Sequence, residues 1–516
     1  MGARANSDRR SFLKAVAAAA AGAIGLLGLR RVFADGPGES RPAASGALPG
    51  TGEGKPDYLA AVRSHLDRII ASGTDRYGPV QTPMWMASLD TRTGAYPQDA
   101  VHPKVGKRAY RDILAPKGCT LYWDQPELVA AYAITKITAD EWYAKAADAY
   151  VQSFLRKCVR ADGLFEWGNH VYYDAFTDKL VHLQGGDHET RPIPPAWEAF
   201  WKLSPQAAER EIRLVAKLHV FDPVTGGFNR HADGKKGCAF LESGGIITET
   251  LCWLSRKTGD KAPADLALRV ARFSFEHRGE KTGLLENNPT VSRWDKFAAT
   301  TEVGVWAGSL LRAQDYTGVE EFGRMARQAV LAYLKYGWDE KAGRYLGQLK
   351  VADGVSAFAA ENKRLPETNA PGLYADPWNA YFPTHDYPMA LAETCVTLYD
   401  RTKEREFLQA IERWAGVLKE EKLPAQTRDG HGGYAELFGR GIHFLCRAAE
   451  ATGDRAYRKQ AHELARLAMD SLFAEGMFRS HTGEDRYDAL DGVGYLLLAL
   501  IRLQTGKAPD YMGFGF

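Results

Sequence analysis

The sequence predicts an all-α fold, an (α/α)6 or (α/α)7 toroid of helical hairpins that carries short β-hairpins in its long rim loops. Apolar residues recur at spacings of three and four through most of the chain after residue 56, the pattern of amphipathic helices. Short connections alternate with long ones that are rich in aromatic residues, His and Gly. This alternation favours a closed ring with one elaborated rim over an open array with short, regular turns.

The predicted helices follow one another along the chain and are joined by a repeated turn. At five short connections a helix ends at Thr, usually followed by Gly, and an acidic residue opens the next helix; Gly suits the end of one helix and the acid suits the start of the next. The repeated unit is therefore a helical hairpin. The Thr residues are 138, 258, 317, 402 and 452, and the helices lie near 57–72, 126–137, 140–157, 195–202, 205–218, 240–256, 261–277, 301–315, 320–336, 384–401, 404–420, 434–451, 455–473 and 489–504.

The first 56 residues differ from the rest in composition. Residues 1–34 place Arg9 and Arg10 before an Ala-rich apolar run, with small residues near position 34, and this resembles a twin-arginine export signal. A short membrane anchor is the alternative, but the run is brief and weakly hydrophobic. Residues 35–56 are a Gly/Pro/Ser-rich flexible linker, so 57–516 is predicted to be a single catalytic domain. The expected location is periplasmic or secreted, with the twin-arginine machinery as a partner and no stable membrane anchor after cleavage.

Charge and cysteine content exclude some functions. Residues 1–34 contain six basic groups and one acidic group, so the remaining chain has a formal charge of −3, against +2 for the whole sequence. No global positive field is present to attract nucleic acid. The six cysteines lack metal-type spacing and are predicted to be buried free thiols, with one disulfide in an oxidising compartment as the alternative. No cofactor or metal is predicted, since we find no zinc-ligand spacing, phosphate loop or dinucleotide fingerprint.

Several motifs together resemble the six-hairpin glycosidase superfamily. They are the hairpin repeat and the stretches GTDRYGPVQTPMWMASLD, LYWDQPEL, FEWGNHVYYD, FNRHADG, FLESGG and TTEVGVWAG. The resemblance implies a toroid of helical hairpins and a carbohydrate-active enzyme. The superfamily spans hydrolases, lyases and epimerases, and no diagnostic motif of one family is matched, so the resemblance transfers no catalytic residue.

Polar and aromatic residues concentrate in the long connections. GLFEWGNHVYYDAF (163–176) offers aromatic faces for sugar rings and polar groups for hydroxyls, although its aromatics could equally pack on the toroid. TGGFNRHADGKKG (225–237) contributes Arg230, which could bind a carboxylate bidentately, and His231, which could transfer a proton. Glu242, Glu302 and Glu436 stand near helix N-termini, where an acid also complements the helix dipole.

Two reactions fit these residues. Hydrolysis needs two carboxyl groups across the scissile bond, and elimination from a uronic acid needs a Tyr or His base with Arg, Asn or His to neutralise charge. We expect hydrolysis of a poly- or oligosaccharide, with uronic-acid polymers among the candidates; a lyase is the close alternative, and a glycan-binding toroid or sugar epimerase is a further one. The predicted catalytic residues are Glu166, His170, Tyr173, Arg230, His231, Glu242 and Glu302. The predicted substrate-binding residues are Trp123, Asp124, Trp167, Asn169, Tyr172, His188, Trp306, Trp378, His385 and Glu436.

Overall fold

A computed structural model describes residues 56–97, 117–168, 171–182, 188–190, 193–291, 296–357, 373–378, 389–420 and 433–508. These residues form fourteen α-helices. The helices are α1 (Tyr58–Ser72), α2 (Leu121–Thr138), α3 (Glu141–Lys157), α4 (Trp197–Leu203), α5 (Pro205–His219), α6 (Leu241–Thr258), α7 (Ala262–Glu276), α8 (Thr300–Thr317), α9 (Glu320–Gly337), α10 (Met389–Thr402), α11 (Arg405–Glu420), α12 (Ala435–Thr452), α13 (Arg455–Leu472) and α14 (Val493–Thr505).

The even-numbered helices form an inner ring and the odd-numbered ones an outer layer. Helices α6, α8, α10, α12 and α14 each pack against the next, and α14 packs against α2. The seven-residue α4 fills the place between α2 and α6: the Ala196 amide donates to Gln125 Oε1 at 2.8 Å, and Trp197 Nε1 donates to Thr250 Oγ1 at 3.0 Å. The all-α toroid prediction is confirmed, and the described helices make it an (α/α)7 ring.

The two ends of the chain are joined at the ring closure. Strand β1 (Ser88–Asp90) pairs antiparallel with β13 (Arg486–Asp488). Beside this pair lies a buried set of polar side chains that we call the ring-closure cluster. In it, His65 Nε2 lies 2.6 Å from Glu127 Oε1, the Tyr487 hydroxyl donates to Glu127, and the Tyr150 hydroxyl donates to Asp124. The cluster consists of His65, Asp124, Glu127, Tyr150 and Tyr487.

The short turns repeat one geometry, as the sequence predicts. At each, the Thr hydroxyl donates to the carbonyl four residues earlier and accepts an amide two residues later. The intervening residue has a positive φ, between 56° and 78°, and Gly occupies it at three of the five turns because it has no Cβ to clash. The Thr residues are 138, 258, 317, 402 and 452.

The opposite rim carries the long connections and the short strands. The remaining strands are β2 (Gly118–Cys119), β3 (Val171–Asp174), β4 (Lys179–His182), β5 (Val220–Asp222), β6 (Gly227–Phe228), β7 (Ala298–Ala299), β8 (Trp338–Asp339), β9 (Arg344–Tyr345), β10 (Gln348–Leu349), β11 (Phe473–Ala474) and β12 (Met477–Phe478). Four antiparallel hairpins, β3–β4, β5–β6, β8–β9 and β11–β12, confirm the predicted rim hairpins.

Two helix starts differ from the predicted ones by more than two residues, and the predicted start near residue 384 lies outside the described residues. Helix α2 begins at Leu121, five residues early, because the Gln125 amide donates to the Tyr122 carbonyl at 3.1 Å and so replaces the hydrogen bond that Pro126 cannot make. Helix α14 begins at Val493, four residues late. A short 3₁₀ turn (Ala489–Asp491) precedes it, and Gly492 with φ of 68° separates the two.

Three further predictions concern the export signal with its linker, the cysteines and the membrane anchor. The export signal and most of the linker lie outside the described residues. All six cysteines are free, and five of them are buried, as predicted. Within the part of the chain that the structure describes, no helix combines the length and the apolar character needed to cross a membrane.

Candidate active site

The inner helices place acidic side chains around one rim. Each inner helix except α14 is joined to the following outer helix by a short turn, and the first turns of α14 pack beside those of α2 and α12. All inner helices therefore run in the same direction, and their N-termini share the long-loop rim. Four of them carry an acid in the first turn, and a fifth acid precedes α14 directly. These residues are Asp124, Glu242, Glu302, Glu436 and Asp491.

Arg230 stands at the centre of a group of side chains on this rim that combines a cation, an imidazole and a carboxylate at contact distance. Its Nη1 lies 3.3 Å from Glu189 Oε1, and its Nε donates to His231 Nε2 at 3.0 Å. Its guanidinium lies 4.6 Å from the centre of the Phe240 ring, at the start of α6 and two residues before Glu242. An antiparallel bridge between Glu189 and His231 holds the two segments together.

The segment at 163–176 separates into a polar edge and a buried core. Glu166 Oε1 lies 3.3 Å from His182 Nε2 on β4. Trp167 is buried against Phe165, Phe200 and neighbouring rings. The Tyr173 hydroxyl donates to Asp178 at 3.1 Å, and burial raises the pKa of this phenol. Burial also raises the pKa of Tyr172, so both phenols are neutral near pH 7.

The other tryptophans predicted to bind sugar are also packed inside the toroid. Trp123 makes an edge contact with Tyr122, Trp306 stacks on Phe275, and Trp378 makes an edge contact with Phe438. Each is no more than 3% exposed. Their indole faces are therefore filled by the protein's own side chains in this structure.

Two of the predicted carboxyl groups are buried in surroundings that raise their pKa. Burial raises the pKa of Asp124 well above its usual range, and this residue belongs to the ring-closure cluster. Burial likewise raises the pKa of Glu436 well above its usual range, with Arg440 opposing and Glu393 and Asp491 adding to the shift. Glu242 is buried, and Glu302 is partly exposed.

The remaining predicted residues fall into two groups. His188 is buried and accepts a hydrogen bond from Trp167 Nε1 at 2.8 Å, so it lies behind the rim rather than on it. Asn169, His170 and His385 lie outside the described residues. Within the described ranges, no group of three or more His, Cys, Asp or Glu side chains is arranged to hold a metal ion.

Sequence analysis missed three residues around Arg230. Glu189 follows His188 directly and contacts Arg230, but nothing in its local pattern distinguishes it from other loop acids. Glu211 and His219 lie on the buried face of α5, where they contact His188. The sequence feature that could have identified them is their place on the apolar stripe of an amphipathic helix, where polar residues are unusual. Ala208, Ile212 and Val215 lie on the same stripe.

Comparisons with known proteins give one family match and several structural likenesses. A family model described as periplasmic pectate lyase matches residues 125–240, from the first turns of α2 to the residue before α6, and this span includes Arg230. An α-1,6-mannanase from Salegentibacter is 9% identical over 87% of this chain and 99% of its own, with a TM-score of 0.45. An unsaturated glucuronyl hydrolase specific for heparin is 14% identical over 74% and 96%, with a TM-score of 0.43.

A third solved structure, the cellobiose 2-epimerase from Bacillus thermoamylovorans, is 9% identical over 86% of this chain and 98% of its own, with a TM-score of 0.44. The names of these proteins describe a lyase, hydrolases and an epimerase, all acting on carbohydrates. The chain is similar to these proteins over residues 125–240 for the family model and at 9–14% identity for the solved structures.

Proposed function

We propose that the protein is an exported lyase that cleaves a uronic-acid-containing polysaccharide by β-elimination, with Arg230 and His231 at the reacting sugar. The observation that carries the proposal is the contact between the Arg230 guanidinium and His231 Nε2, in a segment that matches the periplasmic pectate lyase model. This choice replaces the hydrolysis expected from sequence, which rested on the number of rim carboxylates.

The proton positions in this contact suit the reaction. Arg230 Nε can only donate, so His231 Nε2 must carry a lone pair, and the imidazole is in the form that accepts a proton. Arg230 is always protonated and can bind a carboxylate through two parallel N–H groups. A uronate carboxylate that binds Arg230 would draw the guanidinium away from His231 and leave the imidazole lone pair available.

The proposed reaction balances without a cofactor. His231 removes the proton from C5, the carbon beside the uronate carboxylate, and Arg230 stabilises the negative charge that develops on that carboxylate. The electron pair of the C5–H bond forms the C4–C5 double bond, and the C4–O bond breaks. The expelled oxygen takes a proton from the imidazolium or from solvent, leaving an unsaturated uronate on the new non-reducing end.

The direct test is product analysis with the protein lacking residues 1–34. It is incubated with polygalacturonate, other uronic-acid polymers and neutral glycans, and both reducing ends and the ultraviolet absorbance of unsaturated uronates are followed. We expect the two signals to rise together on at least one uronic-acid polymer and neither to rise on neutral glycans. Reducing ends without unsaturation would overturn elimination.

Hydrolysis is the second candidate, and one observation favours it. Burial raises the pKa of Glu436 well above its usual range, and Asp491 is close enough to add to that shift. A protonated acid beside a second carboxyl group is the arrangement that glycosidases use. In the same assay, hydrolysis predicts reducing ends without unsaturation and loss of activity in Glu436→Gln, whereas elimination predicts that Glu436→Gln stays active.

Export by the twin-arginine route is part of the proposal and rests on residues 1–34. Replacing Arg9 and Arg10 together by Lys keeps the charge but removes the paired guanidinium groups. We expect the Lys variant of the full-length chain to remain in the cytoplasm while the unaltered chain reaches the periplasm or medium. Equal export of both would contradict this route.

A further inference from the structure

Behind the Arg230 site lies a buried chain of side chains that the proposed reaction does not use. Glu211 Oε1 lies 2.7 Å from His188 Nε2, and His188 Nδ1 lies 2.8 Å from His219 Nε2. His219 Nδ1 lies 2.8 Å from the Asn229 carbonyl oxygen. The three side chains are at most 3% exposed. We call this set the Glu211–His188–His219 chain.

The end of the chain at Asn229 fixes the position of every proton. A carbonyl can only accept, so His219 carries its proton on Nδ1, and its Nε2 accepts from His188 Nδ1. His188 Nε2 is then an acceptor, which agrees with its hydrogen bond from the Trp167 indole. Glu211 must therefore be the protonated donor in its contact with His188.

Burial favours the same uncharged state. It lowers the pKa of His188 to about 3 and the pKa of His219 well below its usual value, and it raises the pKa of Glu211 well above its usual range. The Glu189 carboxylate opposes the His188 shift, and the Phe165 amide opposes the Glu211 shift. The three side chains are thus uncharged, and their hydrogen bonds can run in only one direction. Glu211 donates to His188, His188 donates to His219, and His219 donates to the Asn229 carbonyl oxygen.

The chain connects the three segments that carry the candidate site. Glu211 Oε2 accepts the Phe165 amide at 2.7 Å, beside Glu166. His188 precedes Glu189, and its own carbonyl accepts the Ala232 amide at 3.1 Å. His219 holds the carbonyl of Asn229, the residue before Arg230. The cavity beside the chain measures about 10 Å³, the lower limit for one water molecule, so the intact side chains leave little room for solvent.

We propose that Glu211, His188 and His219 are positioning residues that hold the 165–167, 188–190 and 229–231 segments in the relative placement that Arg230 and His231 require. The inference rests on the proposed lyase function. The hydrogen bond from residue 211 to His188 requires an uncharged donor at residue 211 and not a negatively charged carboxylate. The side chains act through Glu189, Arg230 and His231 and do not touch the substrate.

Three variants test this role. Glu211→Gln can donate to His188 and accept from Phe165, so we expect wild-type kcat. Glu211→Asp keeps the acid but withdraws it by about 1.5 Å. His219→Gln takes the donor away from the Asn229 carbonyl, because a glutamine amide reaches the position of imidazole Nε2 and not that of Nδ1. Displacements of this size reduce kcat by up to about 100-fold. KM should stay near the wild-type value in all three, because the groups that contact substrate are retained.

The matched controls are Glu127→Gln and Glu127→Asp in the ring-closure cluster, where a buried Glu also contacts a His. Their kcat per folded molecule, with folding checked by circular dichroism, should equal the wild-type value. Nitrogen-15 NMR of the histidine rings should find His188 and His219 protonated on Nδ1. If Glu211→Asp does not fold, the test is the kcat of Glu211→Gln against that of His219→Gln, and we expect the first to be the higher.

Several results would overturn the inference. The first is a wild-type kcat in both Glu211→Asp and His219→Gln, and the second is an equal loss of kcat in Glu211→Gln and Glu211→Asp. The third is a loss of kcat in Glu127→Asp equal to that in Glu211→Asp, and the fourth is protonation of His188 and His219 on Nε2. A wild-type protein that forms no unsaturated product would overturn the lyase function itself and the positioning role with it. An active wild type with unaffected variants would overturn the positioning role alone.

Discussion

The ring-closure cluster and the Glu211–His188–His219 chain use the same chemistry for different ends. Each buries a glutamate against a histidine, at 2.6 Å in the cluster and 2.7 Å in the chain. The cluster joins α1, α2, α3 and β13, elements from both ends of the sequence. The chain joins three loops that carry the candidate site. The two sites therefore differ in what the buried glutamate connects, which is elements of the ring in the cluster and loops of the candidate site in the chain.

The largest expected effect on stability is at the ring-closure cluster. Glu127→Leu removes the partner of His65 and Tyr487 and leaves both buried, which should lower the free energy of unfolding by about 2–5 kcal/mol. Urea unfolding followed by tryptophan fluorescence measures this change, and kcat of the folded fraction should be unaffected. An unchanged unfolding midpoint would contradict the structural role assigned to the ring-closure cluster.

The largest expected effect on activity is at Arg230. Arg230→Ala removes the cation that stabilises charge on the uronate and should reduce kcat/KM by about 10²–10³-fold. Because it also removes the cation in contact with the buried Glu189 carboxylate, activity is compared per folded molecule. Arg278→Ala is the control, since Arg278 lies over Phe275 at 4.1 Å much as Arg230 lies over Phe240. Equal activity in the two variants would exclude Arg230 from the reaction.

A smaller effect on stability is expected from one hydroxyl. Tyr487→Phe removes the donor to Glu127, and we expect the free energy of unfolding to fall by about 1–2 kcal/mol. Tyr132→Phe removes a donor to the partly exposed Asp148 and should cost less. Denaturant titrations of both variants measure the difference, and a larger loss in Tyr132→Phe would contradict the importance assigned to the cluster.

The smallest effect concerns pH. Burial raises the pKa of Asp124 in the folded protein, so the folded state keeps its proton at pH values where the unfolded state releases it. This residue therefore makes folding less favourable as pH rises above about 4, the usual carboxyl pKa, towards the raised value. Asp124→Asn lacks this penalty, so its stability relative to wild type should increase with pH across that window. A pH-independent difference would show that Asp124 is ionised when folded.

The fold could be predicted well from the sequence because the patterns that specify it are local and repeat along the chain. The five Thr turns fix where five of the inner helices end, and alternating loop lengths distinguish the two rims. The start of α2 could not be predicted, because a side chain, Gln125, compensates for Pro126. The choice of seven pairs required the short α4, whose place in the ring depends on contacts with α2 and α6.

The candidate site was less predictable because its parts are distant in sequence. Polar density in FNRHADG pointed to Arg230 and His231. Their partner Glu189 is forty residues earlier, and only the bridge to His231 brings it near. Aromatic residues were misleading for a physical reason: an indole that can stack on a sugar packs equally well on a phenyl ring, as Trp306 does on Phe275.

A crystal structure of the His231→Ala variant with a bound uronic-acid oligosaccharide would test the lyase proposal at the atomic level. We predict that one uronate carboxylate lies within hydrogen-bonding distance of both terminal nitrogens of Arg230, with its C5 facing the space left by the imidazole. An oligosaccharide whose glycosidic bond lies between Glu436 and Asp491, with Arg230 still paired to Glu189, would contradict elimination at this site.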